Sequence, residues 1–403
     1  MKKQTLVKQE ITESMLPEYG RRKLLMYADS IRELAATFQE VKKESTPEYD
    51  NDAGGDRKDY IWQRRMTENK EIIAEHLQEI AQIMIKVAME SKKHISITER
   101  SQKKIIHTLK EVGIQVKNMD MLENDKGRLE FVIEMQSMKN DTLSVEEIGD
   151  LLSVGMNIHF IAAPNNPFFI RQEWQTFYYM EESDYYVLTG MAKAIKESEK
   201  ISGDSYSFFD AIPGSLTALL SDGMGSGDKA NNDSAMIIEL MEKFLEADFH
   251  KEVAIQMISS FLIAATESNN MSTLDICEVD LYSAACEFIK IGSSCSYIKR
   301  EHMVERISAG NLPLGIFHKP DMEIIKRQLI DGDYIIMISD GILDALAQGI
   351  GEDMLSEVIG GTSLTNPHEM ANAILNFCIH QSRGAIRDDM TVLVIGIWKR
   401  EDE

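Results

Sequence analysis

The sequence predicts an α/β protein whose C-terminal half is a sandwich of two antiparallel sheets flanked by helices, preceded by a small α/β module and N-terminal helices. Three observations point there. Ten short apolar runs between residues 185 and 398 carry strand character, and long helical patterns interrupt them only at 231–246, 251–268, 352–360 and 367–382. Polar, Gly-containing turns separate the runs, as between antiparallel neighbours. No internal repeat suggests a solenoid or propeller instead.

The chain divides into three regions on pattern, 1–95, 96–180 and 181–403. In the first, Leu24, Tyr27, Ile31, Leu34, Phe38 and Val41 form an a/d stripe. A second stripe, Met66, Ile73, Leu77, Ile80, Met84 and Val87, follows the breaker STPEYDNDAGGD. Two narrow stripes fit a helical hairpin, helices that find a partner chain, or helices laid on the next domain. In the second region Ser96 and Glu99 predict a capping box ahead of Ile105, Ile106 and Leu109. Strands at 114–122 and 128–136 flank the turn NDKG, Ser144 and Glu147 cap another helix, and strands near 157–162 and 173–180 complete a ferredoxin-like order. In the third region the strand candidates are 185–195, 204–211, 215–221, 275–281, 285–291, 295–299, 304–307, 324–329, 333–339 and 390–398.

Composition narrows the function. A net charge of −23, from 66 acidic against 43 basic residues, disfavours nucleic-acid binding, and with it a two-metal nuclease, because a basic surface supplies most of that affinity. The four cysteines lack zinc-type spacing and read as reduced thiols of a cytoplasmic protein. Cys295 to Arg300 is one residue too short for a cysteine-phosphatase loop. The N-terminus has no apolar signal core, and the longest uncharged apolar stretch, 253–266, is too short to span a bilayer, so no membrane-spanning segment is expected.

One local device recurs. An apolar run ends in Asp222-Gly223, another ends in Asp340-Gly341, Asp204 opens a strand, and Asp388-Asp389 open the last one. A single Asp-Gly is ordinary turn chemistry. Four aspartate-bearing strand ends that could meet at one rim point instead to hard divalent cations, which take oxygen ligands and activate water. The absence of histidine from these motifs favours magnesium or manganese over zinc. Gly223 would let the backbone turn so that its carbonyl also faces a metal.

In order, SGDSYS, SDGMGSG, STLDICEVDL, IKIGSSCSYIKR, NLPLGI, MISDGI and RDDMTVLV resemble the motifs of the PPM-type (protein phosphatase 2C-like) phosphatases, and more narrowly their sporulation branch. ERSQKKIIHTLKEVGI and YYVLTGMAKA are similar to segments preceding that branch's catalytic domain. The resemblance implies a PPM-type α-β-β-α sandwich that uses two manganese or magnesium ions to hydrolyse phosphoserine on a protein. On it, Asp222 bridges both ions, Gly223 offers its carbonyl to one, and Asp340 and Asp388 complete the other site. Asp204 binds directly or through a water, and the catalytic assignments are Asp222 and Asp204. Asp389 is left to a strand-entry hydrogen bond. The implied substrate is a phosphorylated anti-anti-sigma factor in sporulation. The implied partners are a second copy of the chain and a cell-division protein, at a division septum. Two departures stand out: nothing corresponds to the multi-spanning membrane region of full-length members, and no arginine lies near Asp204 where other subfamilies hold phosphate. The helices at 231–268 either switch metal occupancy, as in the family, or only cover a sheet. A septal scaffold with subordinate phosphatase activity is the competing reading.

Overall fold

The computed structural model describes residues 26–33, 35–36, 73–85, 93–123, 127–139, 143–163, 166–210, 214–225, 227–247, 249–265, 271–346 and 349–401. They fall into two compact units: one within 86–183, the other comprising residue 184 onward with the helical residues before 86.

Within the first unit the order is β1 (Lys93–Ile95), α1 (Glu99–Glu111), β2 (Ile114–Glu123), β3 (Leu129–Ser137), α2 (Val145–Met156), β4 (Phe160–Ala162) and β5 (Gln175–Glu181). The sheet runs β1-β2-β3-β5-β4 with every neighbouring pair antiparallel. This corrects the ferredoxin-like expectation, which needs parallel central strands. The reason is that β4, only three residues long, pairs with β5 alone, so β5 takes the place beside β3. Phe131, Ile133 and Met135 alternate inward along β3 against Ile105, Leu109, Ile148 and Leu152 of the two helices, a period-2 face meeting a period-3.6 stripe.

Helix starts are set by side-chain caps, which satisfy backbone N–H groups that have no partner inside the helix. For α1 the cap is Thr98, whose Oγ1 accepts from Ser101 N at 3.2 Å. The predicted Ser96–Glu99 box is therefore displaced, because Ser96 lies just past the strand at residue 95, two residues short of the helix entrance. For α2 the predicted box forms: Ser144 Oγ accepts from Glu147 N at 3.1 Å, and Ser144 N donates to Glu147 Oε2 at 2.9 Å. Ser144→Ala should cost about 1 kcal/mol, read as a lower urea midpoint of this unit with an unchanged m-value.

The second unit contains β6 (Tyr185–Ala194), β7 (Asp204–Phe209), β8 (Ser215–Asp222), α3 (Asp228–Glu246), α4 (Lys251–Ala265), β9 (Leu274–Asp280), β10 (Ala285–Ile291), β11 (Ser296–Arg300) and β12 (Met303–Ile307). It continues with β13 (Glu323–Gln328), β14 (Tyr334–Ile338), α5 (Asp340–Asp344), α6 (Gly351–Gly361), α7 (Pro367–Gln381) and β15 (Met390–Lys399). One antiparallel sheet runs β13-β10-β9-β8-β7 and the other β12-β11-β14-β15-β6. Leu216, Ala218, Cys277 and Phe288 of the first meet Ile298, Ile335, Met337, Leu393 and Ile395 of the second in a shared apolar layer. Helices α3 and α4 cover the outer face of the first sheet through Ile237, Met241, Ile255 and Ile258. Helices α6 and α7 cover the second through Leu355, Ile359, Met370 and Ile374. Covered on both faces, β8 and β15 are buried along nearly their whole length, which is why they read as unbroken apolar runs. The four cysteines are free and buried.

Residues 26–33, 35–36 and 73–85 are helical. Their fully buried positions are Ala28, Ala35, Ala74 and Ala81, whereas Tyr27 and Ile73 of the predicted stripes are exposed. The buried line is thus shifted by one residue onto alanine, a side chain short enough for close approach of another surface. Leu24, Leu34, Phe38, Val41, Met66 and Val87 lie outside the described residues.

Candidate metal centre

Strand pairing places the first two carboxylates. In the β7–β8 register Asp204 is the partner of Asp222, so the first residue of one strand meets the last of its neighbour. The other sheet repeats the construction. Strand β14 ends at Ile338 and gives way through Ser339 to Asp340, while Asp388 and Asp389 immediately precede β15, whose Val392 pairs with Ile338.

The serine ahead of each Asp-Gly locks that strand end to the entrance of the adjacent strand. Ser221 Oγ donates to Thr273 O at 2.7 Å, and Asp222 N donates to Thr273 Oγ1 at 3.0 Å. Ser339 Oγ accepts from Thr391 N at 2.9 Å. Ser272 adds a 2.6 Å bond to Asp222 O. Sequence reasoning missed Ser272, Thr273 and Thr391 as positioning residues, although Ser-Asp-Gly occurs twice and a threonine stands in each partner motif.

The glycines have a reason other than the expected turn. Neither Gly223 nor Gly341 is in the left-handed region. A Cβ on Gly223 would lie 2.2 Å from Ala230 O, and one on Gly341 would lie 2.1 Å from Asp389 O. Each is a point of close backbone approach. Gly223 N donates to Gly203 O at 3.3 Å, which keeps it beside the start of β7.

Electrostatics gathers the four acids. Burial pushes Asp222 up to about 9, helped by the charges of Asp204, Asp340 and Asp388 and by a hydrogen bond with Asp340 that favours its protonated form. Asp340 is raised as well, by burial first, while its bond with Asp222 opposes and the charge of Asp388 adds to the rise. Asp204, 1% exposed, is pushed to about 6 by burial, against hydrogen bonds from Thr391 and Ser339 and the charge of Lys193. Its Oδ2 accepts from Thr391 Oγ1 at 2.5 Å, a bond between the two sheets, while Oδ1 is buried with no hydrogen-bond partner. Asp388 lies 3.7 Å from Lys196 Nζ. Asp389 accepts from Lys196 N at 3.0 Å and Gly203 N at 2.7 Å, so both of its oxygens are committed to the 196–203 segment.

Among the described residues no three His, Cys, Asp or Glu side chains already surround one point as a metal cage. The acids are instead held by protein partners: Asp222 by Asp340, Asp204 by Thr391, Asp388 by Lys196. Even so, the donor set fits a hard divalent cation. It is all oxygen, mutually repulsive, and includes a buried carboxylate oxygen without a partner. Asp388 also lines two adjoining clefts, of about 790 Å³ and 360 Å³.

The family model for stage II sporulation protein E matches residues 213–398, and the model for that protein's regulatory domain matches 23–156. Stage II sporulation protein E of Bacillus subtilis (strain 168) is 29% identical over 338 residues, 83% of this chain and 40% of that protein. The Priestia megaterium protein of the same name is 28% identical over 331 residues, 82% of this chain and 57% of that one. This chain therefore spans about half the length of these relatives. The solved PP2C phosphatase domain of SpoIIE from Bacillus subtilis, with a fragment of its regulatory domain, is 28% identical with a TM-score of 0.62, covering 86% of this chain and 99% of that one. The chain belongs to the stage II sporulation protein E family of PPM-type phosphatases.

Proposed function

We propose that the chain is a metal-dependent protein serine/threonine phosphatase acting on phosphoserine of a regulatory protein, with Asp204, Asp222, Gly223, Asp340 and Asp388 as the metal site. The observation that carries this reading is the mutual electrostatic influence of four aspartates from two sheets and from strand ends far apart in sequence. Asp222, acted on by the other three, would hold metal together with them, and the carbonyl of Gly223 would add a neutral oxygen beside it. When bound, manganese or magnesium would supply an activated water and offset charge on the phosphoryl oxygens.

The protein's own contribution is positioning. Ser272 and Thr273 fix the Asp222 backbone, Thr391 fixes Asp204 Oδ2, and Asp389 anchors the segment leading into β7. The hydroxyls around the cluster are already engaged, Ser221 with Thr273 O, Ser272 with Asp222 O and Thr391 with Asp204 Oδ2, so direct hydrolysis without a covalent phosphoenzyme is the step these residues suit. Family membership supports an anti-anti-sigma factor as the phosphoprotein, with a second copy of the chain and a cell-division protein as partners. No helix among the described residues is long and apolar enough to cross a membrane.

The test is phosphate release from a phosphoserine protein with and without manganese, compared with Asp340→Asn. Release should require the metal and fall by at least about 100-fold in the variant, the scale of losing several kcal/mol of charge stabilisation. Equal release by the two proteins would remove Asp340 from the site. Absence of metal-dependent release from the parent chain would overturn the phosphatase reading.

A further inference from the structure

We propose that Arg387 is the phosphate-holding residue of this site, its guanidinium taking the non-bridging oxygens of the substrate phosphoserine; this rests on the phosphatase reading. Four aspartates cancel much of the charge that bound divalent cations would bring, so a cationic side chain on the approach side would add to the hold on a phosphomonoester dianion. The stretch between Arg171 and Arg300 contains no arginine, so β7 and β8 cannot supply one.

The nearby cations can be sorted by what already occupies them. Lys193 Nζ donates to Asp204 O at 2.7 Å, and Lys196 lies against Asp388. Arg306 is paired with Glu352 and lies 3.6 Å from Asp353. Arg383 lines only the smaller cleft. Arg387 is exposed, lines both clefts beside Asp388, and has no hydrogen bond or ion pair among the described residues. Its place is fixed by its neighbours. Asp389 is bonded to two backbone amides, and Asp388 Oδ1 accepts from Asp389 N at 3.0 Å. An unpaired guanidinium next to a metal-ligand candidate offers the planar two-donor fork that phosphate oxygens accept. The larger cleft, about 790 Å³, has room for a phosphoserine with flanking peptide.

The test pairs kinetics with binding in the full chain. With manganese present, Arg387→Ala should raise KM for a phosphoserine protein and the inhibition constant of inorganic phosphate by at least about tenfold. Manganese affinity by calorimetry should stay within about twofold, and Arg387→Lys should recover part of the loss. Calorimetric titration of inorganic phosphate into the manganese-loaded protein needs no turnover, so it decides the role of Arg387 even if the parent chain is inactive. Unchanged phosphate affinity in Arg387→Ala overturns the inference. A parallel loss of manganese affinity also overturns it, because the residue would then act through Asp388.

Discussion

Asp222→Asn is expected to abolish manganese-dependent dephosphorylation, by at least about 10³-fold, or about 4 kcal/mol of transition-state stabilisation. The size follows from position. Asp222 is the acid on which Asp204, Asp340 and Asp388 all act, so removing its charge would weaken the whole donor set. The same crowding gives a second readout with the opposite sign. A carboxylate raised to about 9 in the folded state contributes stability that is complete below the ordinary carboxylate range and is lost as pH rises through that higher value. The metal-free protein should therefore lose melting temperature between about pH 4 and pH 9, and Asn at 222 should lessen that loss. Adding manganese at pH 8 should restore the parent and leave the variant unmoved. A variant that keeps both its activity and its manganese-induced shift would show that the acids do not share an ion.

The second large effect lies in the core. Lys290 and Asp275 are both fully buried, with Nζ donating to Asp275 Oδ2 at 2.6 Å, Ser294 O at 2.6 Å and Ser296 Oγ at 2.9 Å. Burial raises Asp275 despite the attraction of Lys290, so desolvation is the larger influence. Lys290→Met should destabilise the second unit by about 3–5 kcal/mol, because the carboxylate is left buried without its cation. Adding Asp275→Leu should recover most of that loss, since a buried pair replaced as a whole by apolar groups is often neutral. Urea unfolding of the parent, the single variant and the double variant decides it. A double variant as unstable as the single would mean that packing around β9 and β10, rather than charge, sets the cost.

What could be read from the sequence followed from strictly local physics. Strands such as β8 and β15 are apolar throughout because both faces are covered, and their aspartates stand out because charge ends each run. The Ser144–Glu147 cap is a short-range contact and was legible. Features that depend on register or close approach were not. The pairing of Asp204 with Asp222 and the crossing from Thr391 to Asp204 exist only once two sheets are stacked. The need for glycine at 223 and 341 arises from backbone segments seven and 48 residues away in the chain. Of the described stripe residues Ile31, Leu77, Ile80 and Met84 are half-buried, while the fully buried positions fall on alanine, which hydrophobic periodicity weights little. Arg387 carries no sequence signal, because what sets it apart is the lack of a partner among the described residues, and that depends on its neighbours in space.

The division of the four aspartates between two layers has a mechanical consequence. Asp204 and Asp222 are end residues of strands in one sheet, while Asp340 opens α5 just past β14 and Asp388 just precedes β15, both strands of the other sheet. Ions shared among them would act as a clasp across the open edge of the sandwich. Grip on the ions and closure of the layers are then one equilibrium seen from two ends, so anything that spreads that edge slightly releases cations well before the hydrophobic interior gives way.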